Sequence, residues 1–169
     1  ALAPPKGRYL RDLCDAYGRV IVKVNLDIRD YCGHHDVVSG VLRGRDDPQD
    51  EVWAVAHCSE PGAIDNASGV AACIEALGAL QTLIGQGVLP VPRRSIRMLA
   101  GFECYGFFHY LETVPRLQTP LAGLVVDCVG AKHDVCHGLI GWHATVSSSA
   151  NFVNSLGLGL LRRAFALMA

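Results

Sequence analysis

Glu51-Val52-Trp53-Ala54-Val55-Ala56-His57, followed after a short loop by Asp65-Asn66-Ala67-Ser68-Gly69-Val70, is the stretch whose reading decides the fold. Residues 51–56 form a β-prone run that stops at a histidine. Residues 66–68 then offer caps for a helix over 69–84, with Val70, Cys73, Ile74, Leu77, Leu80 and Leu83 on one stripe. Working outward, residues 95–100 read as a strand, 105–112 as a short helix, 115–120 as a loop and 121–127 as a further strand. Strands that alternate with helices predict an α/β domain with a mostly parallel, mixed sheet and helices on both faces, because parallel neighbours need a crossover. Upstream, residues 7–17 are helix-like, and Val20, Val22, Val24, Leu26 and Ile28 alternate as a strand would. Segments 37–42 and 51–56 flank the polar turn 43–50 and read as a hairpin. Downstream, residues 138–150 are loop-like and 151–168 a final helix.

The 169 residues suit a single domain; half are hydrophobic and 18% charged, below the ~25% of an average soluble domain. That composition excludes disorder and predicts extensive buried structure. Lys and Arg number 15 against 16 Asp and Glu, a net charge of −1, so no nucleic-acid partner is expected. No apolar run approaching ~20 residues is evident, and Arg162 and Arg163 interrupt the apolar C-terminal stretch, so no membrane partner is expected either. Residues 1–7, with Pro4 and Pro5, do not read as a secretion signal, and the lack of an initiator Met fits a processed or cut chain. The seven cysteines, an odd number without a Cys-x-x-Cys pair, read mostly as small buried hydrophobes of a reduced protein, which favours the cytoplasm.

Three expected strands end in a residue able to bind metal or move protons: His57, Glu103 and Asp127. In an open α/β sheet such ends share one edge, where ligand sites form, and Asp65 joins them from the loop before the long helix. Singly, each has a plainer role: a strand-end histidine, a helix cap, a loop acid, a turn former. Together, one imidazole and two carboxylates match the donor types of zinc, and a further carboxylate beside them can deprotonate a water. His34 and His35, adjacent on an extended segment, point to opposite faces and read as loop residues. His133, His137 and His143 have ligand chemistry without a motif, and Trp53 and Trp142 read as packing residues.

The run 57–71, His-Cys-Ser-Glu-Pro-Gly-Ala-Ile-Asp-Asn-Ala-Ser-Gly-Val-Ala, resembles the metal-binding core of zinc-dependent exopeptidases of the bacterial leucyl aminopeptidase and aminopeptidase S type. Glu103-Cys104-Tyr105-Gly106 and Asp127-Cys128-Val129-Gly130 follow in the order of that family's later motifs. The resemblance implies a three-layer α/β/α sandwich, a peptide or aminoacyl substrate, and a pair of zinc ions bridged by Asp65. One ion would also be held by His57 and Asp127, with Glu103 as general base. The second ion lacks its family ligands: Cys104 stands where the family has a second Glu, and only 42 residues follow Asp127, too few for the distal His. The resemblance therefore implies one zinc and a domain incomplete at its C-terminus, with Cys104 either a thiolate ligand or a neutral thiol.

Two further departures concern tuning. Ser59 replaces the family's Asp, which orients the imidazole, and His109-Tyr110 replaces a Gly-Ser after the base. Two functions stay open: a metallo-exopeptidase in which zinc polarises the carbonyl while Glu103 moves the proton, and a non-catalytic or incomplete domain of the same fold. A third, more distant reading is an acyl-transfer enzyme resembling glutaminyl cyclase.

Overall fold

The computed structural model describes residues 4–114 and 120–168, so most of the loop expected at 115–120 lies outside the described residues. The chain divides into two compact units, residues 1–33 and residues 34–169. In the first, helix α1 (Pro4–Tyr17) ends at Gly18, whose positive φ of 67° lets its N–H return to the Cys14 carbonyl at 2.8 Å. The strand expected over residues 20–28 does not form; Ile21, Val22, Val24, Leu26 and Ile28 are exposed. Their alternation records β propensity, but a strand also needs a partner for its N–H and C=O groups, and none of the described strands pairs with this segment.

The second unit is an α/β domain. Its elements run β1 (Val38–Leu42), β2 (Asp47–His57), α2 (Ala67–Gly85), β3 (Arg94–Gly101), α3 (Tyr105–Thr113), β4 (Pro120–Val125), α4 (His133–Cys136) and α5 (Phe152–Met168), with a 3-10 turn at Ser147–Ser149 before α5. The strands form one mixed sheet in the order β1-β3-β2-β4. β2 pairs in parallel with both β3 and β4, and β1 pairs antiparallel with β3. The expected hairpin between segments 37–42 and 51–56 is therefore wrong, since β3 lies between them. The physical reason is burial: β2 carries Glu51, Trp53, Ala56 and His57 out of solvent and takes the centre, whereas the mostly exposed β1 suits an edge.

Alternation along the strands sorts side chains to two faces. On one face Ala54 and Ala56 of β2 and Met98 and Ala100 of β3 meet Val70, Cys73 and Leu77 of α2. The three alanines are small enough for the helix to lie close. Ile74, expected on the inner stripe, is 54% exposed and faces outward. By length and composition α2 is also long and apolar enough to cross a membrane, which corrects the sequence reading; here it lies against β2 and β3.

The other face is organised by Glu51. Arg97 donates to both of its oxygens at 2.6 Å, the Trp53 indole N–H donates to Oε2 at 2.7 Å, and Arg97 also reaches Ser39 of β1 at 2.6 Å. One side chain thus ties β1, β3 and β2 together, and the paired carboxylate raises the Arg97 pKa further. Trp53 meets Tyr110 of α3 edge-on, ring centroids 6.0 Å apart, as a packing residue.

Among the described residues the buried apolar set is small: Trp53, Ala56, Cys73, Met98, Leu99 and Ala100. The extensive core expected from composition is not observed, because much of the apolar content lies on exposed faces of β4, α5 and residues 20–28. Between β4 and α5 runs an apolar groove of about 660 Å³ lined by Leu121, Leu124, Trp142, Phe152 and Leu156. Cysteine placement also departs from expectation: Cys73 is buried, Cys58 is half-buried, and Cys14, Cys32, Cys104 and Cys128 are exposed.

Because Glu51 is sheltered and its charge is met by Arg97, Arg97→Met should destabilise the chain by about 2–3 kcal/mol, somewhat less than the ~3–5 kcal/mol of a fully buried pair. Adding Glu51→Met should restore most of that loss. Urea midpoints of the single and double variants check this; equal destabilisation in both would show that packing, not the stranded charge, carries the effect.

Candidate metal site at the carboxyl edge of the sheet

β2, β3 and β4 run parallel, so their carboxyl ends lie at one edge of the sheet. β2 ends at His57, β3 leads two residues on to Glu103, and β4 stops two residues short of Asp127. Asp65 sits just before α2, whose first turn begins at the same edge.

The structure brings His57, Asp65 and Asp127 together. His57 is 6% exposed, and its Nε2 lies 3.4 Å from Asp65 Oδ1 and 3.4 Å from Asp127 Oδ1. One ligand atom from each of the three residues lies within 4.8 Å of the others. A second group of the same tightness contains His57, Glu60 and Glu103. Both share His57, so they do not amount to two independent three-ligand sites. Cys104 belongs to neither group, and neither do His137 and His143; the His133 side chain lies outside the described residues.

The spacing suits a small cation. Ligands ~2.0–2.1 Å from a tetrahedral zinc stand ~3.3–3.4 Å apart, which is the separation seen on both sides of Nε2. An imidazole nitrogen with two carboxylate oxygens is an ordinary zinc donor set, and it leaves a fourth position open.

Electrostatics follow from the crowd of acids. Burial of the His57 ring pulls its pKa down, but the hydrogen bond and charge of Glu60, with the charges of Asp127 and Glu103, outweigh burial and hold it above its ordinary value. Glu60 is correspondingly lowered by the His57 hydrogen bond. The Cys128 thiol bonds Asp127 and is pushed up to about 11, which keeps it a neutral thiol rather than a ligand near pH 7.

Asn66 fixes the backbone of the site. It is fully buried; its Oδ1 accepts from Gly69 N at 3.0 Å and Cys128 N at 3.1 Å, and its Nδ2 donates to the Val126 carbonyl at 3.0 Å. It therefore caps α2 and grips the peptides on either side of Asp127. Gly69 permits this, because a Cβ there would stand 2.2 Å from the Val126 oxygen and 2.5 Å from Asn66 Oδ1. Backbone strain gathers here too: Ser59, Cys104 and Cys128 have φ of 118°, 54° and 53°, and each neighbours a site acid.

The sequence reading missed Glu60 and the bridging role of Asn66. A carboxylate three residues after His57 was visible, but nothing local says that Ser59 turns the chain back on the ring. Asn66 was legible as a cap; its reach to residues 126 and 128 was not. His35, read as a loop residue, stacks on Phe102 with centroids 4.5 Å apart. The site is an open edge: the groove beside α5 and a cavity of about 420 Å³ around Glu51 and Arg97 include none of His57, Asp65 or Asp127. No protein-family model, curated protein or solved structure matches the chain.

Asn66→Ala removes the partner of one buried and two part-buried backbone groups and should cost about 1–3 kcal/mol in urea denaturation. Zinc retained after dialysis should amount to one ion per chain in the parent and in Cys104→Ala, and to none in an Asp65→Asn, Asp127→Asn double variant. Two tightly held ions would contradict this ligand assignment.

Proposed function

We propose that the chain is a zinc-dependent hydrolase domain of the exopeptidase class, on a three-layer α/β/α architecture, that binds one ion and slowly cleaves the amide bond next to a free terminus of a peptide or aminoacyl substrate. The observation that carries this is His57 Nε2 flanked at 3.4 Å by Asp65 and Asp127, with Glu103 grouped on the same imidazole.

His57, Asp65 and Asp127 are the residues that would hold the ion. Zinc, when bound, supplies Lewis acidity that favours loss of a proton from water and polarises the scissile carbonyl. Glu103, exposed at the edge, takes that proton on a carboxylate oxygen as the water oxygen adds to the carbonyl carbon. It then returns the proton to the departing amine nitrogen as the C–N bond breaks. Asn66 keeps the two aspartates in register through the backbone.

The low rate follows from what surrounds these groups. Cys104 stands outside both ligand groups, and Asp65 and Asp127 are 62% and 49% exposed, so water would screen the bound ion's positive charge from an oxyanion. The same two observations favour a second reading, a zinc-binding domain without turnover.

Release of a chromogenic amine from an aminoacyl anilide separates the two. The expected result is faint, zinc-dependent turnover that falls about 10²-fold or more in Glu103→Gln. Cys104→Glu with Ser59→Asp should raise it only partly, since neither change adds an imidazole. Turnover that persists undiminished in Glu103→Gln would overturn the role of the base, and none in the parent would leave the binding reading. Zinc needs the neutral imidazole, so its affinity should weaken as pH falls through the raised His57 pKa, beginning above the ordinary histidine range. Competition titrations across pH check the sign.

A further inference from the structure

We propose that Glu60 is the positioning residue of the site: its carboxylate accepts the Nδ1–H of His57 and so holds the ring in the tautomer that turns the Nε2 lone pair toward Asp65 and Asp127. This rests on the reading that a metal binds at Nε2. Glu60 Oε2 lies 2.9 Å from Nδ1, and the Glu60 side chain is 27% exposed, the most sheltered carboxylate in ion-pairing range of the ring. Ser59, with φ of 118°, turns the chain so that an acid three residues past the strand end folds back on its own histidine.

The rival role for Glu60 is direct ligation with His57 and Glu103. Distance decides between them. Two ligands of one tetrahedral zinc stand ~3.3–3.4 Å apart, whereas 2.9 Å is the length of a hydrogen bond. The Nδ1 side of the ring is closed by a bonded acid, and the Nε2 side has the spacing of a coordination shell. The neutral ring carries a single N–H; an acceptor at Nδ1 draws it there and frees Nε2. The resemblance to exopeptidases gives this task to an acid at position 59, where this chain has Ser59; the carboxylate one residue further on supplies it.

The experiment compares the full chain with Glu60→Gln and Glu60→Ala. Zinc affinity, read by chelator competition, should fall about 10- to 100-fold in Glu60→Ala and less in Glu60→Gln, whose amide oxygen still accepts from Nδ1. Cobalt bound in place of zinc should give the same visible absorption bands in Glu60→Gln as in the parent, because the ligand set is unchanged. Nitrogen-15 shifts of the metal-free chain, at a pH where the ring is neutral, should place the proton on Nδ1 in the parent and move population to Nε2–H in Glu60→Ala. Unaltered affinity in Glu60→Ala, altered cobalt bands in Glu60→Gln, or an unmoved tautomer would each overturn the proposal. A parent that binds neither metal overturns the zinc reading instead, and the tautomer measurement still decides the role of Glu60.

Discussion

The buried amide of Asn66 is the interaction on which the rest of the site depends. One side chain satisfies the first turn of α2 and the two peptide groups flanking Asp127, groups separated by about sixty positions in the chain. Each such bond contributes only ~1 kcal/mol net, yet leaving the buried Gly69 N–H unmet costs ~1–3 kcal/mol, so the clamp is worth more than its bonds suggest. It ties the backbone next to Asp65 to the backbone on either side of Asp127, although both aspartate side chains are exposed. His57 needs no such clamp, because it ends β2, an interior strand of the sheet, and its own ring is buried.

Charge is the second organising element. Four carboxylates, Glu60, Asp65, Glu103 and Asp127, crowd one imidazole at the carboxyl edge of a sheet in which the buried acid, Glu51, is fully met by Arg97 and Trp53. The contrast separates an acid whose oxygens are all met by donors from acids that share one ring. Around Glu51 every acid oxygen has a donor; around His57 a single ring with at most two N–H groups faces four acids. Like charges so placed raise the proton affinity of the ring and favour any cation that enters.

Much of this was legible in the sequence because it is local. The strand over 51–56, the helix over 69–84 and the strand over 95–100 were readable from propensity and stripe, and the shared strand-end position of His57, Glu103 and Asp127 followed from the strand-helix alternation. What was not legible depends on partners distant in the chain. Segment 37–42 was readable as a strand, but not that it would pair with β3 rather than with its neighbour β2. The alternation of residues 20–28 was read as a strand, although periodicity carries no information about whether an edge awaits it. Glu60 escaped notice because its role depends on the left-handed turn at Ser59, a conformation that serine rarely adopts and that sequence does not announce.

The central claim is that one cation sits on the Nε2 side of His57 between Asp65 and Asp127. Anomalous diffraction from crystals grown with zinc tests it most directly. The account predicts a single strong peak ~2.0–2.2 Å from Nε2 and from one oxygen of each aspartate. A peak on the Nδ1 side, among Glu60 and Glu103, or density of equal strength at Cys104, would contradict it.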